Sequence, residues 1–142
     1  MNEVKKVQIL IHSLIDDAES FHNYDGEYLF KENTHNIAYT DYSGNAITKN
    51  AVQATQSVML LHRVGGFSGD MFFDISSDTI VKYDAFMIEC GFVLHTYEYS
   101  LTENNNTLTI FLKYGLHDGQ SDEEINCQQT IKIILPEEEN NE

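Results

Sequence analysis

The stretch TLTIFLKYGLH, Thr107 to His117, decides how the rest of this 142-residue chain is read. Leu108, Ile110, Leu112, Tyr114 and Leu116 occupy every second position, with Thr107, Thr109, Lys113 and His117 among the residues between them. A two-residue period puts the first set on one face of a β-sheet and the second on the other. A strand of this kind must bury one face, so its neighbours have to close over an interior.

The same alternation extends outward in both directions, and almost everything from Phe67 to Leu135 reads as strand. Upstream, Gly91 opens a strand to Leu101, and Thr102 to Asn106 is a polar turn. Downstream, Asp118-Gly119 is the strongest hairpin signal in the chain. Glu124 to Leu135 follows as the last strand, with Cys127, Ile131 and Ile133 inward. Gly65-Gly66 makes a turn before Phe67, Gly69, Met71, Phe73 and Ile75 alternate. Ser77-Asp78 ends that strand. Thr79 to Phe86 comes next with Val81 and Tyr83 inward, the opposite parity of Ile80 and Phe86 staying open.

In the N-terminal half, a first strand covers Val7 to Leu14, with Val7, Ile9 and Ile11 on one face. Asp16 to Ser20 reads as a solvated acidic connection and Tyr24-Asp25-Gly26 as a turn. Glu27 to Asn33 places Tyr28 and Phe30 inward, and Asn36 to Tyr42 places Ile37 and Tyr39 together. Ser43-Gly44-Asn45 turns the chain again. In Ala51 to Arg63, helix and strand compete. Val52, Thr55, Val58, Met59 and His62 could form a helical stripe, whereas Val52, Ala54, Val58 and Leu60 fit a strand. Thr55, Val58 and the lack of Lys/Glu pairs favour strand.

These elements predict an all-β chain: a single antiparallel domain over residues 1–135, followed by an acidic, disordered tail over 136–142. A sandwich and a closed barrel are both open to about eight or nine strands. The long C-terminal strands favour closure, because long exposed edges invite aggregation. A barrel of that size is either filled by its side chains or hollow enough for one small ligand.

The charge narrows the partners. The chain carries 23 acidic and eight basic residues, a formal net charge of −15, and Arg63 is its sole arginine. Nucleic-acid binding rests on Lys and Arg contacts that release counterions, so no nucleic acid is expected. An anionic membrane surface would be repelled likewise. Two cysteines, Cys90 and Cys127, are too few for a disulfide framework. The N-terminus lacks the long apolar core of a signal peptide, and no run approaches the ~20 apolar residues of a membrane span. A cytoplasmic protein is the expectation.

The order of these features resembles the YwiB-type family of small bacterial β-barrels, lipocalin-like (calycin) in fold and without an assigned activity. The matching residues are Arg63, Gly65 or Gly66, Met71-Phe72-Phe73, Tyr83, Gly91, Leu108 to Leu116 before Gly119, Asn126 and Ile131-Lys132-Ile133. Tyr39 and Asp41 stand in the position of a Tyr-Glu pair. The family's compact Tyr-x-Thr-Pro-x-Gly turn is replaced by Tyr83 to Gly91, longer and without the proline. The chain also lacks Trp, and with it the Gly-x-Trp signature of ordinary lipocalins. The resemblance implies the barrel and suggests a ligand.

Catalytic and metal patterns are weak. A nucleophile elbow centred on Ser68 would need Gly at position 70, where Asp stands, and a helix where a strand follows. The six histidines, His12, His22, His35, His62, His95 and His117, show no ligand spacing, so neither metal nor cofactor is expected. Asp118, Gln120 and Asp122 begin like a calcium loop, but Glu123 replaces the required glycine. Glu98 lies opposite in parity to Tyr97 and Tyr99 and is expected in solvent.

Arg63 stands apart: a lone guanidinium in so acidic a chain will find a carboxylate or a ligand anion. Either it forms a structural salt bridge, or it sits at a barrel mouth and clamps a carboxylate or phosphate. In the second case Tyr83, His95 and Tyr97 supply further donors, while Met71, Phe73, Tyr97, Tyr99 and Tyr114 line the cavity. The expectation is a non-enzymatic barrel that binds a small apolar or amphipathic molecule. The alternative is a side-chain-filled barrel acting as a protein-interaction module or homodimer. A tunnel of some 300 Å³ would favour the first.

Overall fold

The computed structural model describes residues 3–42, 46–85, 88–118 and 123–137; the side chains of Phe67, 83–85 and 88–90 lie outside that description. Alternation along the chain produces ten antiparallel strands: β1 (Lys5–Ile15), β2 (Ala18–Lys31), β3 (Thr34–Asp41), β4 (Thr48–Ala54) and β5 (Val58–Gly65), then β6 (Phe67–Asp74), β7 (Thr79–Ala85), β8 (Ile88–Asn104), β9 (Thr107–His117) and β10 (Ile125–Ile134). Each pairs with its sequence neighbour, and β1 pairs with β10 to close a barrel. No helix is long and apolar enough to cross a membrane.

The stretch that opened the reading is β9, with Leu108, Ile110, Leu112 and Tyr114 buried on the inner face as their spacing requires. The expected eight or nine strands become ten because Ala51 to Arg63 is two strands. Thr55 breaks it: its amide donates to the Val58 carbonyl at 2.9 Å, and its hydroxyl accepts from the Ser57 and Val58 amides. The side chain thus completes a tight turn that competes with the ladder. Crossing the turn changes the inward set from Val52 and Ala54 to Met59 and Leu61. Val58 and Leu60, expected to share a face with Val52, are half-buried on the outer wall.

β2 corrects another expectation. It runs unbroken from Ala18, pairing with β1 from Lys5↔Tyr28 to Ile15↔Ala18, so neither the acidic connection at 16–20 nor the turn at Tyr24-Asp25-Gly26 exists as read. The turn is at Asp16-Asp17. Asp16 adopts φ 52° and its amide donates to the Asn126 carbonyl at 2.8 Å. Gly26 sits mid-strand for lack of room: a Cβ there would lie 2.4 Å from Ile9 Cδ1 and 2.7 Å from the Ala38 carbonyl oxygen. Phe30, expected inward, is exposed at the strand's end, and Ile75 is exposed in the β6–β7 turn.

β8 spans 17 residues, so Gly91 lies inside it and does not open it. A β-bulge interrupts its pairing with β9: Thr96 faces Tyr114 and Glu98 faces Lys113, leaving Tyr97 as the extra residue. The inward set passes from Leu94 and Thr96 to Tyr99 and Leu101, and both Tyr97 and Glu98 face solvent.

The interior is filled. Ile9, Phe73, Leu108, Ile110, Leu112 and Ile133 are essentially inaccessible, and each such side chain contributes about 1.5–3 kcal/mol by leaving water. The wall is uneven. β6 pairs with β7 only through Phe67–Gly69 and Tyr83–Ala85 among the described residues. Beyond that ladder, the Thr79 hydroxyl donates to the Phe72 carbonyl at 2.7 Å. The turn expected at Ser43-Gly44-Asn45, Gly119 of the Asp118-Gly119 turn, the calcium-like Gln120 and Asp122, Phe86, and the tail from 138 onward lie outside the described residues.

Candidate binding site at the polar end of the barrel

Continuing the inward parity of β5 past Met59 and Leu61 brings Arg63 onto the inner face, near the end where the β1–β2 and β5–β6 turns lie. The register sets Tyr39, Asn50, Arg63 and Gly69 in one row across the inner wall, with Gly69 paired to the Tyr83 backbone on the next strand. Gly69 carries no side chain beside the guanidinium. Arg63 and Tyr83 are thus linked by backbone register through Gly69, and the Tyr83 side chain lies outside the described residues.

Arg63 forms no salt bridge among the described residues, and its Nε is buried without a hydrogen-bond partner. It borders a void of about 20 Å³ together with Tyr39, Leu61, Gln129 and Ile131. The polar groups around it are mostly engaged with one another. The Tyr24 hydroxyl donates to Asp41 Oδ2 at 3.2 Å, with the Tyr24 and Tyr39 rings 4.7 Å apart. Asn50 Nδ2 donates to the Thr48 carbonyl, and Gln129 Nε2 to Ser13 Oγ.

The electrostatics follow from that arrangement. Burial pushes the Tyr24 hydroxyl up to about 12, helped by the charge and hydrogen bond of Asp41 and opposed by Arg63. Burial also raises Tyr39, again against the pull of Arg63. Both phenols stay protonated at neutral pH and can donate. The result is a cation on the inner wall whose field opposes that of the Asp41 carboxylate at the same two phenols. Arg63 as a whole is half-buried, and its Nε, out of water and without a partner, costs free energy unless an acceptor meets it.

The other predicted residues divide. Met71, Phe73, Tyr99 and Tyr114 are buried on the inner face, but they act as plugs. Phe73 meets the Tyr114 ring edge-on at 4.9 Å, and the Tyr99 hydroxyl donates to the Thr55 carbonyl at 2.5 Å. Tyr114 hydrogen-bonds the Cys127 thiol, whose pKa burial raises. His95 and Tyr97 are corrections: both lie on the outer wall, His95 by parity between Leu94 and Thr96, Tyr97 by the bulge. His95 Nδ1 sits 2.5 Å from Asp78 Oδ1, and the Tyr97 hydroxyl donates to Glu124 at 2.8 Å. Neither can join Arg63.

Ser68 serves a turn. It follows Gly65, whose amide donates to its Oγ at 3.3 Å, and a strand follows as expected. No group of three metal-ligating side chains occurs among the described residues.

Sequence reasoning missed a polar pair at the opposite end. His35, 4% exposed, has Nδ1 2.6 Å from the Tyr28 hydroxyl and Nε2 3.2 Å from Glu103 Oε1. Burial lowers its pKa, partly offset by the Glu103 charge. A neutral ring accepting from Tyr28 and donating to Glu103 satisfies both nitrogens. The signal was present, since His35 shares the inward parity of Ile37 and Tyr39.

Among the described residues, ten antiparallel strands close around a packed interior and define a small β-barrel. The chain belongs to the family described as a domain of unknown function, DUF1934, which matches residues 8–133. Its fold is similar to that of the YwiB protein from Bacillus subtilis, whose crystal structure aligns with a TM-score of 0.82 and 18% identity over 96% of each chain. A search of curated proteins returns no match.

Proposed function

We propose that the protein is a non-enzymatic binding protein whose barrel receives the anionic head of a small molecule, a carboxylate in the first instance, at Arg63. The observation that supports this is the inward guanidinium with its buried, unbonded Nε and no ion pair within the described chain. A guanidinium presents a fork of donors that matches a carboxylate in two parallel hydrogen bonds. Tyr39 lies beside it as a neutral phenol, while Tyr24 and Asn50 already donate to Asp41 and the Thr48 carbonyl, so an arriving carboxylate would also meet the Asp41 charge.

The interior limits what can follow the head. A void of about 20 Å³ is room for roughly one water, far below the ~300 Å³ of an ordinary ligand pocket. An apolar body therefore stays near the mouth and does not run down the barrel. Thermal unfolding in acetate, octanoate, phosphate and chloride at equal ionic strength tests the reading. Carboxylates should raise the midpoint of the native chain and leave Arg63→Met unmoved; equal shifts in both chains, or none in either, would refute it.

A second reading, a filled barrel working through its outer wall as an interaction module or homodimer, draws support from the same packed interior.

A further inference from the structure

Acidic residues are unevenly placed on this barrel. None of the chain's 23 falls in β1, β9 or β10, three adjacent strands that hold Lys5, Lys6, Lys113 and Lys132, four of its eight basic residues. β4 and β5 are also free of Asp and Glu, but one cross-strand row carries Glu27 on one side of them and Asp70 on the other. On the β9–β10–β1 wall, β10 has acid-free strands on both sides.

The outer positions of that wall are apolar or uncharged along most of its length. One row runs Phe21, His12, Thr130, Phe111; the next runs Asn23, Leu10, Lys132, Thr109. Phe21, on the flanking β2, is 71% exposed, held upright by stacking on His12 at 4.5 Å. Glu19 beside it lies 3.3 Å from His12 Nε2. Between them Leu10, His12, Phe21, Asn23, Thr130 and Lys132 enclose a mainly apolar groove of about 330 Å³.

We infer that this wall is where two copies of the chain meet, face to face about a twofold axis, each Phe21 entering the groove of the other. The inference develops the outer-wall reading and is independent of the Arg63 site. Two molecules of charge −15 repel each other, and a twofold contact sets each patch against its own copy. An acidic patch would place carboxylates opposite carboxylates; this wall brings none from its three strands. An exposed aromatic beside a groove that can hold it is self-complementary, and buried aromatics dominate interface energies. With the flanking β2, whose Glu19 and Asp25 edge the face, four strands spaced ~4.8 Å apart and about ten residues long cover on the order of 650 Å², close to the ~800 Å² per partner of a standard interface.

Light scattering after size exclusion, and sedimentation over a concentration series, should give a dimer mass for the native chain. Lys132→Glu and Phe21→Asp, both at exposed positions, should each raise the dissociation constant at least about tenfold, while Lys49→Glu on β4 leaves it unchanged. A native chain that stays monomeric at about 100 μM, where a micromolar interface is saturated, overturns the inference. So does a dimer that Lys49→Glu dissociates and Lys132→Glu does not. Circular dichroism of Lys132→Glu separates loss of assembly from loss of fold, and an intact Arg63-dependent carboxylate response in that variant keeps the two sites distinct.

Discussion

The two ends of the barrel interior are built by the same strands and solve opposite problems. At the β2–β3 and β4–β5 turns, the wall closes over aliphatic side chains, and the polar groups present are matched: Tyr28 to His35, His35 to Glu103, Tyr99 to Thr55. At the other end the inner positions are Thr48, Asn50, Tyr39, Asp41 and Arg63, and the Arg63 Nε is left without a partner. Burial without a partner is costly, so the first end contributes stability, and the second is where the proposed carboxylate would bind.

The sharpest break of this contrast is at the apolar end. Phe73→Ala removes a side chain only 1% exposed and should cost about 3–5 kcal/mol in urea unfolding. Gly26→Ala tests the wall between the ends. Its Cβ would have to displace Ile9 and the Ala38 carbonyl, so a loss of about 1–3 kcal/mol is expected; a neutral result would mean the strands separate easily there.

His35 offers a pH test of the satisfied end. Its folded pKa lies below the unfolded value, so between the two the unfolded chain holds more protons. Its contribution is complete above ~6.5 and is lost as pH falls through that window, by at most about 1.4 kcal/mol per pH unit. His35→Phe should flatten the stability profile below pH 6.5, and an unchanged slope would assign that dependence to other groups. On the alkaline side, Tyr24 and Tyr99, both raised to about 12, keep protons that the unfolded chain gives up near 10. Stability should therefore fall above pH 10, and tyrosinate absorbance should lag until unfolding.

The smallest effect is expected at the open end. Arg63→Met trades an unpaired cation for an apolar side chain, so stability should stay within about 1 kcal/mol of the native value or rise. A clear loss would show that the guanidinium serves the scaffold.

How far this was readable depended on local chemistry. β9 was legible to the residue because nothing interrupts its period, and β1 nearly so. β2 was not, since Gly26 looks like turn chemistry and is in fact a close approach of three strands, information held in Ile9 and Ala38. The division of β4 from β5 hung on one Thr55 hydroxyl. At the site, Arg63 was found by its rarity and Phe73 by its period, but Tyr97 was misplaced because a single-residue bulge reverses parity and leaves no clear trace in composition. The Tyr24–Asp41 pairing spans two neighbouring strands and the His35–Glu103 pairing joins β3 to β8, and only the register and the closure of the barrel bring them together.

The short ladder between β6 and β7 has its own consequence. Every other neighbouring pair of strands shares a ladder of at least six residue pairs, whereas among the described residues β6 and β7 share three, with the Thr79 hydroxyl bridging to Phe72 beyond them. Local opening draws on the least-bonded backbone first. This seam is thus the natural place for the cylinder to breathe, admitting solvent or a protease from the side while the β9–β10–β1 staves stay shut.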